Sequence, residues 1–268
     1  MYTNLDELKL NINHRCQGED RITVIKAIDK AQTALKTWSF ISTDFLDPFK
    51  KILVTDILHE IKGLKYTEFA GHANGTRASL ILYSEELSED MIDYSDIFSI
   101  VTVIPVSGSE NLTHRDYLGA IMNLGINRDF FGDILINAES CMIVGKKSII
   151  QHINSSLTQV AKYSVSTHIT SLSELVVPEE KSKEFTVNIS SMRLDCIIGA
   201  AFHVSRSEAA RLIENGRVFV NYREVKNISK NITEKSVISC KGYGKIELLE
   251  ILGETKKGRI RIKIKIFG

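Results

Sequence analysis

The stretch from Arg193 to Val225 constrains this chain more than any other. Leu194, Ile197, Ile198 and Ala201 fall at i, i+3, i+4 and i+7, one apolar stripe of a short helix. Ala209, Leu212 and Ile213 do the same in a second helix. Ser205 and Glu208 make a capping box at its start, and Gly216 supplies the residue that ends it. Val218-Phe219-Val220 then reads as a strand, and Asn221 begins a turn.

The polar residues of this unit are mostly basic. Arg193 opens the first helix. Arg206 lies in the first turn of the second, with Arg211 further along it. Arg217 follows the helix end, and Arg223 and Lys226 follow the turn. The guanidinium fork matches phosphate oxygens bidentately. Lys241-Gly242-Tyr243-Gly244-Lys245 is a glycine-rich loop that lets backbone approach a phosphate, with Tyr243 able to stack on a base or ribose. Lys256-Lys257-Gly258-Arg259 makes a basic turn. The last strand alternates Arg259, Arg261, Lys263 and Lys265 with isoleucines, a row that equally suits a solubilising edge. Ser205 is better explained as a helix cap than as a contact. Residues 181–268 hold 18 Lys/Arg and 9 Asp/Glu, against 16 and 24 in residues 1–180, so a net charge of +1 hides a basic third on an acidic body. That distribution suits a localised polyanion-binding face. The expected RNA-binding residues are Arg193, Arg206, Arg211, Arg217, Arg223, Lys226, Lys241, Tyr243 and Lys245.

Upstream, residues 19–62 read mostly as helix, broken near Thr43 to Pro48, where Asp47 caps and Pro48 starts the next helix. Ala78 to Tyr83 reads as a strand. From Ile97 the order is strand 97–106, helix 113–124, strands 134–137 and 141–144, helix 146–157, strand 162–170. That is the ferredoxin-like βαββαβ pattern of RRM-type domains. It lacks the aromatic strand consensus of an RNA-recognition motif, so contacts there fall to Arg115, Arg128, Lys146 and Lys147 as a secondary RNA-binding set. Residues 176–184 read as a linker. The expected fold class is α+β: a mainly helical N-terminal domain at 1–76, a ferredoxin-like middle domain at 77–178 and an αα-β RNA-binding domain at 179–268.

Several chemistries are not supported. No apolar run approaches a membrane span, and the N-terminal residues lack a signal-peptide pattern. Cys16, Cys141, Cys196 and Cys240 are far apart and read as free thiols in a reducing cytoplasm. Asp44, Asp47 and Asp56 lack metal-loop spacing and read as caps and solvated faces. His114-Arg115-Asp116 lacks the remaining kinase signatures and fits a helix cap made by Thr113 and Asp116. No catalytic residue, metal or cofactor is expected.

The C-terminal stretch resembles the S4 RNA-binding domain. The resemblance is carried by Arg193-Leu194-Asp195, Ser205-Arg206, Ile213, Gly216, Val218, Val220-Asn221 and Lys241-Gly242, with Tyr222 where the pattern has glycine. Thr43-Asp44-Phe45-Leu46-Asp47-Pro48, Leu112 to Gly119, Leu124-Gly125-Ile126-Asn127-Arg128 and Gly132-Asp133-Ile134 look like the YlmH family of bacterial S4 proteins. That family is cytoplasmic and encoded near cell-division genes in Gram-positive bacteria. It is similar to small S4 proteins that engage stalled large subunits carrying peptidyl-tRNA. The resemblance implies a non-enzymatic, monomeric factor that binds structured rRNA and tRNA on the large ribosomal subunit in ribosome-associated quality control. The alternatives are an RNA-modifying enzyme and a DNA-binding helix-turn-helix. Met192-Arg193-Leu194-Asp195 differs in its first residue from the catalytic Gly-Arg-Leu-Asp of pseudouridine synthases.

Overall fold

The computed structural model describes residues 5–106, 112–179, 182–256 and 258–267. Lys257 of the basic turn, and Glu180 and Lys181 of the expected linker, lie outside these. The chain forms two compact units, Met1–Pro178 and Glu179–Gly268. The fold is mixed α+β, with helices at the N-terminal end and three antiparallel sheets among the described residues.

The first unit begins with α1 (Leu5–Arg15) and α2 (Gly18–Thr37). Val24, Ala27, Ile28, Ala31 and Ala34 bury one face of α2. α3 (Pro48–Leu58) starts where the sequence places it: the Asp47 carboxylate accepts from the Lys50 amide at 2.8 Å, and Pro48 occupies the first turn. These helices cover a sheet of order β1-β3-β2, made of Ile41–Ser42, Ser79–Ser84 and Leu64–Phe69. All six β3 residues are buried, which suits the central strand of a sheet with both faces covered.

After a short helix α4 (Tyr94–Ile97) the order is β4 (Phe98–Pro105), α5 (His114–Asn123), β5 (Phe131–Ile136), β6 (Cys141–Lys146), α6 (Lys147–Ser156), β7 (Gln159–Val160) and β8 (Tyr163–Thr170). These strands form an antiparallel sheet of order β5-β6-β4-β8-β7. The capping box at α5 is present: the Thr113 amide donates to Asp116 at 2.8 Å.

Strand alternation divides this sheet between two cores. Val101, Val103, Cys141 and Ile143 face α5 and α6. Phe98, Ile100, Met142 and Val144 face the other way, against Phe45, Ile81 and Tyr83 of the N-terminal layer, with Leu172 and Leu175 at the margin. Phe45 is fully buried and meets Phe98 edge-on at 5.6 Å. A Cβ on Gly132 would lie 2.8 Å from the Phe45 ring, so this approach requires glycine. Asp44 is neither a cap nor a solvated side chain. Its Oδ1 accepts from Lys30 at 3.0 Å and Lys146 at 2.8 Å. Burial works to raise its pKa, but the two ammonium groups outweigh that and hold the carboxyl below its usual range.

The second unit packs α7 (Leu194–Phe202) and α8 (Arg206–Glu214) on a six-stranded antiparallel sheet of order β11-β10-β12-β13-β14-β9. Its strands are β9 (Ser182–Ile189), β10 (Val218–Val220), β11 (Arg223–Glu224), β12 (Val237–Cys240), β13 (Gly244–Glu254) and β14 (Ile260–Phe267). The two helix stripes enter one core with Ile238, Ile246, Leu248, Ile262 and Ile264. The linker expected at 176–184 ends earlier, because Ser182 already pairs with Phe267 in β9. The edge reading of the terminal basic row is also corrected. β14 is flanked by β13 and β9, and Lys263 Nζ lies 2.6 Å from Glu184 across the β9 pair.

Candidate nucleic-acid interface

The start of α7 is tied down before any ligand is considered. The Leu194 amide donates to the Lys230 carbonyl at 2.9 Å, and the Ile232 amide donates to Met192 at 2.9 Å. Asp195 in the first turn is therefore held with its side chain only 5% exposed. Ser205 caps α8 by accepting from the Glu208 amide at 3.2 Å, which places Arg206 at the first helical position.

Two guanidinium groups converge on Asp195. Arg193 Nε donates to Oδ1 at 3.0 Å and its Nη2 to Oδ2 at 3.2 Å. Arg206 donates to Oδ2 through Nη2 at 2.9 Å and Nε at 3.3 Å. Burial pushes the Asp195 pKa up, but the two arginines outweigh it and hold the carboxyl below its usual range. The hydrogen bond to Asp195 in turn raises the pKa of each arginine. Both stay accessible, with Arg206 60% exposed and Arg193 39% exposed. Each guanidinium carries five N–H donors and uses two on Asp195, so further donors are available to an anion.

A second group forms where the β12–β13 hairpin meets β10. Arg217 Nη2 donates to the Lys241 carbonyl at 2.8 Å, and the Lys241 amide donates to the Arg217 carbonyl at 2.9 Å. The glycine-rich loop is thus a hairpin turn closed by the Cys240–Gly244 pair. Gly242 has φ +91°, and a Cβ there would lie 2.8 Å from Arg217 Nη2. Lys241 Nζ sits 5.0 Å above the Phe219 ring, and Tyr243 lies 5.7 Å from Phe202. Lys245 lies 4.0 Å from the Phe267 ring. These contacts place cations over aromatic faces while leaving Lys241 and Tyr243 exposed.

The remaining expected residues lie outside both groups. Arg211 is exposed on α8, 3.7 Å from Glu208. Arg223 is exposed on β11, and Lys226 pairs with Glu224 at 3.4 Å. The hairpin between β10 and β11 turns through Asn221 and Tyr222, with φ +48° and +65°. The tight turn forms without the glycine of the usual pattern.

The secondary set divides. Arg115 and Lys147 are exposed. Arg128 turns inward, donating to the carbonyls of Phe131 and Gly132 at 2.8 Å each. Lys146 bonds Asp44. Asp195, Phe202, Phe219 and Phe267 are the supporting residues that the sequence reading did not place in the site. Phe219 lies between Val218 and Val220, and Phe267 ends a strand that alternates basic residues with isoleucines.

The comparisons with known proteins bear on both units. Residues 98–174 match a family model described as "Putative RNA-binding domain in YlmH". Residues 192–238 match the S4 domain. The chain is also 26% identical, over 253 residues, to "Ribosome-associated protein quality control protein P2" of Bacillus subtilis (strain 168). That alignment covers 94% of this chain and 97% of the relative. The chain is similar to the YlmH proteins in its middle region. The S4 match spans α7, α8, β10, β11 and the first two residues of β12. The solved structure of "Cell division protein ylmH from Streptococcus pneumoniae" aligns with a TM-score of 0.49 at 23% identity. It covers 60% of this chain and 96% of that chain. No helix among the described residues is long and apolar enough to cross a membrane.

Proposed function

We propose that the protein is a non-enzymatic factor that binds structured RNA through its S4 unit. The RNA is rRNA and tRNA of the large ribosomal subunit, and the setting is ribosome-associated quality control. In this reading it acts as a cytoplasmic monomer without a cofactor. Its parts are an N-terminal domain at 1–76, a ferredoxin-like middle domain at 77–178 and the S4 domain at 179–268. The strand order β5-β6-β4-β8 supports the middle assignment.

The observation that carries the proposal is the pair Arg193 and Arg206, oriented by one buried carboxylate and exposed to solvent. Two guanidiniums held in place lose less conformational freedom on meeting phosphate oxygens. Arg211, Arg217, Arg223, Lys226, Lys241, Tyr243 and Lys245 extend the interface. Arg115 and Lys147 are the better-placed members of the secondary set. The ribosomal setting is supported by the name of the Bacillus subtilis relative.

The enzymatic alternative would use Asp195 as the catalytic carboxylate. Its four hydrogen bonds to Arg193 and Arg206 speak against that role. Sedimentation with native ribosomes at low salt tests the proposal. The protein is expected to travel with the large subunit and with stalled complexes. If it stays at the top of the gradient in both cases, the ribosomal reading fails.

A further inference from the structure

A groove in the first unit has a chemistry opposite to that of the basic interface. From Ala78 to His114 the sequence contains no Lys or Arg and seven acids, six of them between Glu85 and Asp96. Among those acids lies an aromatic stack. Phe69 on β2 stacks on buried Phe98 with centroids 4.0 Å apart and planes 9° apart. Its ring also stacks with Tyr94 at 5.4 Å and 24°. Phe69 and Tyr94 are half-buried and line a shallow groove of about 720 Å³ together with Met91, Leu172, Asp90 and Asp93.

The side chains divide the groove by function. Met91 is 62% exposed, a large flexible apolar group with no burial to explain it. Asp93 is held in place by the Ser95 amide at 2.8 Å and the Ser95 hydroxyl at 2.6 Å. Glu89 accepts from Thr67 Oγ1 at 2.6 Å. Lys147 is the positive charge acting on Asp93, one cation among several acids. An RNA backbone would be repelled by this rim. A cation entering the groove would meet carboxylates at the rim and aromatic faces at the floor.

We propose that this groove docks a basic segment of a protein partner, with Arg or Lys interleaved with apolar residues. The carboxylates of Asp90 and Asp93 take the cations, the Tyr94 ring, backed by Phe69, stacks against a guanidinium plane, and Met91 and Leu172 cover the apolar side chains. This surface is distinct from the S4 interface.

The test uses the full chain and three labelled peptides of equal length: alternating Arg and Leu, alternating Arg and Ser, and alternating Glu and Leu. Fluorescence anisotropy gives affinity, and hydrogen exchange gives location. The Arg/Leu peptide is expected to bind about tenfold or more tighter than the Arg/Ser peptide, with the Glu/Leu peptide not bound. Protection is expected at residues 89–95 and 171–173. Asp90→Lys with Met91→Ser is expected to weaken the Arg/Leu peptide about tenfold or more at unchanged Tm. Asp90→Asn, which keeps the side-chain volume, is expected to lose a smaller part, and Glu19→Lys with Asp20→Lys on α2 none. Equal affinity for both Arg peptides, unchanged affinity in the groove variants, protection elsewhere, or protection of the groove by an RNA oligonucleotide instead would each overturn the proposal.

Discussion

Asp195 holds two guanidinium groups on one carboxylate, and its negative charge is what keeps them together. Its pKa in the folded protein lies below the ordinary aspartate value of about 3.8, so its stabilising contribution is fully present above that value. The contribution is lost as pH falls through the lower, folded pKa. Asp195→Asn is therefore expected to lower Tm at neutral pH and to weaken RNA binding. The Tm gap to the wild type should close as the solution is made more acidic than about pH 4. Parallel Tm curves across that range would show that the charge of Asp195 does not matter. Gly242 supplies the second test at this scale. At φ +91°, with Arg217 in the space a Cβ would take, Gly242→Ala is expected to cost about 1–2 kcal/mol and to release Arg217 from the Lys241 carbonyl. Thermal melts and the RNA affinity of the same variant check both halves. The cap at Ser205 and the glycine at 216 were legible in the sequence because capping is a local property of a few residues. The pairing of Arg206 with Asp195 was not, because it joins positions eleven apart on two helices.

The middle sheet has the central part of its outer face covered rather than open for stacking bases. RNA-recognition motifs use the sheet face opposite their helices. Here Phe98, Ile100, Met142 and Val144 on that face are buried against Phe45, Ile81 and Tyr83. Phe45→Ala is expected to destabilise the first unit by about 3–5 kcal/mol, since a fully buried ring would leave a cavity between two sheets. Chemical denaturation followed by far-ultraviolet circular dichroism measures this. A loss below about 1 kcal/mol would mean that the layers do not depend on that ring. The order of strands and helices in the middle was readable because short apolar runs alternate with helix-spaced segments. What covers each face was not, since both faces are apolar and periodicity does not name the partner layer. β9 was missed for a related reason. Ser182, Lys183 and Glu184 make its start look like a linker, while the strand exists through its pairing with β14.

At the scale of the whole molecule the charge asymmetry is the organising fact. The C-terminal third carries net +9 and the preceding residues net −8. That division was readable from composition alone, whereas which cations point outward required the fold. Lys146 and Arg128 are basic and turned inward; Arg193 and Arg206 are ion-paired and still exposed. The most direct measurement is the affinity of the full chain for a structured ribosomal RNA across a salt series, beside Arg206→Ala with Arg211→Ala. Log affinity is expected to fall linearly with log salt, by about 0.7–0.9 for each phosphate neutralised. The double variant is expected to bind more weakly with a slope shallower by about 2 and a native far-ultraviolet spectrum, its Tm lowered by the lost Arg206–Asp195 pair. An affinity indifferent to salt, or a double variant with the wild-type slope and affinity, would contradict RNA binding through this face.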